Sequence, residues 1–192
     1  MDPRFKKQKY VIKRQFFKLL GGAFRVYDME ENLCFYVEQK AFKLKEDLRV
    51  YGDEAKTEEL LAIHARNIID FSAIYDINDS KTGQKIGALK RKGLKSILKD
   101  EWEVLDSSDN VIGLIKEDSA LMATLRRFLT WLIPQQYYGY VGEKAVWHFK
   151  QNFNPFTIHI TLDMTLDTED QMDDRVGIAA AVMLCAVEGR QD

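Results

Sequence analysis

The side chains best suited to chemistry are acids. They form two groups, and the members of each group are close together in sequence. Glu101 and Glu103 flank Trp102 on one side of a predicted strand, and paired carboxylates can perform acid–base catalysis. A second group could bind Ca²⁺, because hard cations prefer several oxygen ligands. It comprises Asp163, Asp167, Glu169, Asp170, Asp173 and Asp174. A charge-rich surface accounts better for the first group. The second lacks the loop pattern and central Gly of an EF-hand, and helix capping accounts for it better.

Other catalytic sets are missing from the sequence. His64, His148 and His159 lie in strand-like runs, with no pair at the spacing of metal ligands. Cys34 and Cys185 form no CxxC motif and are predicted to be small buried hydrophobic residues. Nucleophile-elbow, phosphate-loop and dinucleotide-binding motifs are also absent. The sequence therefore predicts a protein that is not an enzyme, with no metal and no cofactor.

A basic cluster on a predicted hairpin and the next strand is the main candidate binding site. It comprises Lys85, Lys90, Arg91, Lys92, Lys95 and Lys99. Each basic residue near an anionic bilayer contributes about 1 kcal/mol to binding, so the cluster could recognise anionic phospholipid. Asp100, Glu101 and Glu103 are close in sequence, so an ordinary solvated surface is the alternative.

A predicted helix at 118–133 is a second candidate contact surface. Asp118 or Ser119 can cap its beginning, and Pro134 ends it. It could contact a membrane interface or a protein partner, and the alternative is that it plugs one end of the core. The candidate contact residues are Arg126, Arg127, Phe128 and Trp131.

Composition limits the remaining possibilities. The formal net charge of −2 sets no strong overall field, so binding to nucleic acid is not predicted. The basic, polar first ten residues are not a secretory signal, and no run reaches the roughly 18 apolar residues of a transmembrane span. A cytoplasmic location is predicted, with a peripheral position at the inner membrane face if lipid is bound.

Strand-like runs separated by turns extend over residues 10–166. The turns recur every eight to twelve residues, which is typical of a sandwich or barrel. About twelve strands are predicted. We found no linker, internal repeat or low-complexity tract, so residues 1–192 are predicted to form a single domain.

The final predicted helix, 173–188, decides the architecture. Its stretch VGIAAAVMLCAV, residues 176–187, contains only apolar residues and Gly. At about 1.5 Å per residue, twelve residues span roughly 18 Å, which is too short for a bilayer. A helix that is apolar on every side must be buried. Because most of its side chains are small, it forms a narrow cylinder that strands can surround.

The sequence resembles the tubby C-terminal-like superfamily in three segments. These are Phe42–Tyr51, the run Asn152-Phe153-Asn154-Pro155-Phe156 before a strand at Thr157–Leu162, and the ending LDMTLDTEDQMDDRVGIAAAVMLCAVEG. The branch it is most similar to comprises the LURP-one-related proteins and their bacterial relatives, with phospholipid scramblases more distant.

The resemblance implies a mainly β fold, a closed antiparallel barrel of twelve strands around a buried C-terminal helix, with 118–133 as an insertion. Since tubby domains bind phosphoinositide headgroups through basic surface residues, it also implies a non-enzymatic binding or membrane-tethering module. The alternative is a protein-interaction or structural module that uses the inserted helix without binding lipid.

Overall fold

The computed structural model of the chain describes residues 1–17, 21–40, 47–69, 72–92, 101–117, 135–152 and 159–188. Within them, twelve antiparallel strands form a closed barrel, and one helix follows. The strands are β1 (Lys9–Phe17), β2 (Gly21–Tyr27), β3 (Leu33–Lys40), β4 (Asp47–Tyr51), β5 (Glu59–Ile69), β6 (Ser72–Asp79), β7 (Lys85–Arg91), β8 (Glu101–Leu105), β9 (Val111–Glu117), β10 (Gln136–Val141), β11 (Lys144–Gln151) and β12 (His159–Asp163). The helix is α1 (Asp174–Glu188), and a 3-10 turn, Pro3–Phe5, precedes β1.

Each strand pairs with the next one along the chain, and β12 pairs with β1 to close the barrel. Closure leaves no unpaired edge strand. The chain therefore crosses alternately between two ends of the barrel. We call the end where the 3-10 turn lies and α1 begins the near end, and the other end the far end.

The interior of the barrel is filled by alternate residues of the strands and by α1 from Val176 to Ala186. On β3, Phe35 and Val37 are fully buried, as the period of two predicts. Every α1 residue from Val176 to Ala186 is buried, with Ile178 and Val182 at 0% exposed. The prediction of a helix enclosed by strands is confirmed. The small residues permit close approach: a Cβ on Gly177 would lie 3.1 Å from the Trp147 ring.

Both termini of α1 are held by polar contacts. At the near end, Asp173 accepts a hydrogen bond from the Arg175 amide at 2.9 Å. Arg175 also forms an ion pair with Asp79 at 2.7 Å. Towards the far end, the Arg14 guanidinium of β1 donates to the carbonyl oxygens of Cys185 and Ala186 at 3.2 and 3.1 Å. These contacts occupy backbone groups that a helix leaves unpaired at its ends.

The mainly β class and the count of about twelve strands are confirmed, but the predicted limits of the strand region were wrong by a few residues. The first strand begins at Lys9, and the last ends at Asp163. Its end coincides with a turn in which the Asp163 carboxylate accepts hydrogen bonds from the amide and hydroxyl of Thr165, at 3.0 and 2.6 Å. The predicted strand at 94–98 and the predicted helix at 118–133 lie outside the described residues.

Candidate functional site

The predicted basic cluster is divided between the two ends of the barrel. Lys85 begins β7 at the near end, whereas Lys90 and Arg91 finish the strand at the far end. Lys90 follows Lys85 by five residue steps along the strand, a distance of about 17 Å. Lys95 and Lys99 lie outside the described residues.

Lys85 belongs to a charge network at the near end. Its ammonium group forms ion pairs with Asp109 and, at 3.4 Å, with Asp76. Arg66 bonds to the same two carboxylates, including a contact of 2.7 Å with Asp109. Hydrogen bonds from Arg66 and Lys85 lower the pKa of Asp109, which keeps its carboxylate ionised. Lys85 therefore acts as a structural cation in this network.

At the far end, basic side chains from the end of β7 and from the next residue lie beside the acids of β8. Lys90 is opposite Glu103 in the register and pairs with it at 3.0 Å. Lys92 lies 3.6 Å from both Glu101 and Glu103. These four side chains form an ion-pair ladder on the outer wall, which we call the β7–β8 ladder. The two acids considered for acid–base catalysis are thus the counter-ions of Lys90 and Lys92.

Arg91 differs from the ladder residues because it is opposite the buried Trp102, and its guanidinium lies 5.8 Å from that ring centroid. Arg91 therefore belongs to the alternate residues of β7 that face the barrel interior.

The acidic group between residues 163 and 174 is occupied by contacts of its own loop and of neighbouring lysines. Asp167 accepts hydrogen bonds from the amides of Gln171 and Met172, both at 2.9 Å. Asp163 pairs with Lys9 at 2.8 Å, and Asp174 pairs with Lys6 at the same distance. In the described part of the chain, no three His, Cys, Asp or Glu side chains are grouped as metal ligands.

The three histidines lie on three different strands. His64 contacts Asn78 at 3.4 Å, and His148 bonds to Gln136 at 3.0 Å. Burial, together with the charge of Lys13, lowers the pKa of His159. Both cysteines, Cys34 and Cys185, are buried, and they form no disulfide with each other.

The candidate contact residues Arg126, Arg127, Phe128 and Trp131 lie outside the described residues, as does all of 118–133. The described residues on either side, Glu117 and Gln135, are both at the far end. The hypothesis of a protein-interaction module that uses this segment stays a prediction.

The sequence analysis missed a group on the outer wall of β9, β10 and β11. Lys116 is opposite Tyr138 in the register, and Tyr138 is opposite His148. The rings of Tyr138 and His148 are stacked, with centroids 4.5 Å apart. Lys150 follows two residues after His148, and both lysines are exposed. We call Lys116, Tyr138, His148 and Lys150 the β9–β11 patch.

Uncompensated charge is separated along the barrel axis. Seven carboxylates in near-end turns have no basic partner among the described side chains: Glu30, Glu31, Asp53, Asp106, Glu143, Asp167 and Asp170. The lysines without a carboxylate partner in the same set are Lys13, midway along β1, and Lys116 and Lys150, which lie towards the far end.

The sequences of the connections between strands show the same separation of charge. Residues 1–8 and the near-end connections contain fourteen acidic and five basic residues. The sequence segments between strands that end and begin at the far end, together with residues 189–192, contain five acidic and nine basic residues. The overall charge of −2 is therefore a sum over segments of opposite charge.

This closed barrel of twelve strands with a C-terminal helix fits the fold of the tubby-like superfamily. The model of the LURP-one-related family matches residues 34–184, which is most of the chain. The chain belongs to the LURP-one-related family. No curated protein matches it. Among the described helices, none has the length and apolar composition that crossing a bilayer requires.

Proposed function

We propose that this protein is a non-enzymatic module that binds the anionic phospholipid surface of a membrane. It would act peripherally at the inner membrane face, with its far end towards the lipid. Membership of the LURP-one-related family supports a lipid-binding type of domain.

The observation that carries the proposal is the separation of charge between the two ends. An anionic surface attracts the far end, where Lys116 and Lys150 have no carboxylate partner among the described side chains and where the sequence between the strands is rich in basic residues. It repels the near end, whose turns contain seven carboxylates without a basic partner in the described part of the chain. The same asymmetry thus supplies attraction and a preferred orientation.

The β7–β8 ladder is compatible with this function. The Lys90 and Lys92 side chains are each 39% exposed, so their ion pairs with Glu103 and Glu101 are solvated. Exposed pairs of this kind contribute about 0–1 kcal/mol. Lipid phosphates can therefore compete for these lysines, which with Lys95 and Lys99 stay candidate lipid contacts.

Vesicle flotation tests the function directly. Vesicles of phosphatidylcholine alone are compared with vesicles that also contain phosphatidylserine, at low and at high salt. We expect the protein to float only with the anionic vesicles, and to dissociate as salt screens the interaction. Equal recovery with both kinds of vesicle, or no recovery with either, would overturn the proposal.

Two variants with equal charge test the orientation of the barrel. The far-end variant combines Lys90→Gln, Lys92→Gln, Lys116→Gln and Lys150→Gln. The near-end control combines Lys6→Gln, Lys56→Gln, Lys81→Gln and Lys144→Gln. Both remove four positive charges, but we expect only the far-end variant to lose flotation. Equal losses would mean that net charge alone governs recovery, which contradicts a preferred far-end surface.

A further inference from the structure

The β9–β11 patch differs from the β7–β8 ladder in its charge balance. Glu101 is opposite Lys116 in the register, but it forms an ion pair with Lys92, at 3.6 Å. Lys150 is opposite Gln136, which is uncharged. Each ladder lysine has a carboxylate within ion-pair distance, whereas neither patch lysine has one among the described side chains.

The geometry of the patch follows from the strand register. Lys116 on β9 and Lys150 on β11 are separated by one intervening strand and are offset by two residues along it, which gives about 12 Å between their backbones at the usual spacings. The Tyr138 and His148 rings lie in the register between them, nearly parallel at an interplanar angle of 13°. Tyr140 extends this aromatic surface along β10, with its ring centroid 6.3 Å from that of Tyr138.

Two cations on either side of an aromatic surface suit the headgroup region of a bilayer. The ammonium groups can bind phosphate oxygens without first breaking an ion pair with a described side chain. Tyrosine is amphipathic, and it is enriched where lipid headgroups meet the hydrocarbon region. The ladder lacks outward aromatic side chains of this kind among its four members.

We propose that the β9–β11 patch is a binding site for lipid phosphate groups, in which Lys116 and Lys150 bind the phosphates and Tyr138 contacts the headgroup layer. The site rests on the proposed membrane function, and it makes the patch, rather than the β7–β8 ladder, the main lipid contact of the described wall.

Three double variants separate this site from its rivals, with affinity for phosphatidylserine-containing vesicles as the measurement. Lys116→Gln with Lys150→Gln removes the patch cations, and we expect affinity to fall about 30-fold, from the contribution of two basic residues near an anionic surface. Lys90→Gln with Lys92→Gln removes the ladder cations. Lys56→Gln with Lys144→Gln is the near-end control. We expect both of these variants to bind within about 5-fold of the wild type, the contribution of a single such residue.

The aromatic contribution is measured separately with Tyr138→Ser. We expect weaker vesicle binding with an unchanged salt dependence, because no charge is removed. Thermal unfolding of each variant checks that the fold is retained.

The outcomes distinguish the site from the function. If the wild type binds anionic vesicles and the patch variant alone is weakened, the site is supported. If the ladder variant is weakened and the patch variant is not, the site is overturned while the membrane function stands. Equal weakening of all three pairs also overturns the site. If the wild type does not bind, both proposals fail.

A soluble phosphate is the remaining alternative ligand, and competition identifies it. We expect inorganic phosphate to displace the protein from vesicles no better than chloride at the same ionic strength. If inorganic phosphate displaces the wild type at much lower ionic strength than chloride does, the patch binds soluble phosphate and the lipid assignment is overturned.

Discussion

Arg14 shows how one residue can link the strands to the central helix. It follows Tyr10 and Ile12 on the inward-facing parity of β1, both of which are fully buried. Its guanidinium bonds to the last carbonyl groups of α1 and also lies 5.5 Å from the Phe24 ring centroid. A cation at a helix C-terminus is favoured by the helix dipole.

We expect Arg14→Met to lower the free energy of unfolding by about 1.5–3 kcal/mol, the usual contribution of a hydrogen bond to a charged group. Methionine keeps most of the side-chain volume but cannot donate to Cys185 and Ala186. Urea denaturation measures the loss. The matched control is Lys13→Met on the same strand, where a contact over the Tyr27 ring is removed. A loss under about 1 kcal/mol is expected there, and equal losses would contradict the capping role.

The candidate sites are less predictable from sequence than the fold, for a reason that is visible at single residues. Lys90, Arg91 and Lys92 form a conspicuous basic run, yet their charge balance depends on Glu101 and Glu103, which reach them only through strand pairing. Lys116 and Lys150 are isolated in sequence. Alternation along β9 and β11 could predict that they face outwards, but their proximity requires the register of three strands.

At the scale of elements, the sequence was most informative about α1. Burial of a helix that is apolar all round is a local property, so length and composition were sufficient to predict its enclosure. Strand limits were less accurate because they depend on contacts beyond the local pattern. The N-terminal 3-10 turn was not predicted. Its Phe5 is buried and stacks on Phe35, with centroids 4.6 Å apart.

The same turn is held by an ion pair that makes its contribution depend on pH. Asp2 accepts a hydrogen bond from the Arg4 amide at 2.9 Å and pairs with the Arg4 guanidinium at 2.7 Å. Arg4 also donates to the Gly52 carbonyl oxygen at 2.9 Å, which ties the turn to the near end. Hydrogen bonds from Arg4 lower the pKa of Asp2 from 3.8 to about 2, although burial opposes the shift.

A carboxylate whose pKa is lower in the folded state stabilises the fold above its unfolded pKa, and the contribution is lost as pH falls through the folded value. We therefore expect Asp2→Asn to be less stable than the wild type at neutral pH. The difference should shrink between about pH 4 and pH 2. Urea denaturation across this range measures it.

Glu143→Gln serves as the control for Asp2→Asn, because it removes an exposed near-end carboxylate that has no ion pair with a described side chain. Its stability should follow that of the wild type throughout. A stability difference for Asp2→Asn that is constant with pH would contradict the role of the ion pair.

At the scale of the whole molecule, the ion pairs of the wall leave opposite charges uncompensated towards the two ends. Alternate connections lie at the same end of the barrel because consecutive strands run in opposite directions. The charges of the separate loops at one end therefore add along the barrel axis. Net composition could not predict this, because it sums charges that the up-and-down topology separates. Under the proposed function, this asymmetry favours binding with the far end towards an anionic surface.

Single fluorescent labels can measure that orientation. Because Cys34 and Cys185 are buried, a cysteine introduced on the surface would be the reactive thiol. Thr161→Cys lies on β12 opposite Lys150 in the register, and Ser107→Cys lies in an exposed near-end turn. On anionic vesicles with quencher-labelled headgroups, we expect strong quenching of the label at 161 and little at 107, since the acidic turns are repelled from the surface. Equal quenching, or stronger quenching at 107, would show that the protein does not bind by its far end. With vesicles of phosphatidylcholine alone, neither label should be quenched, because attraction depends on the anionic lipid.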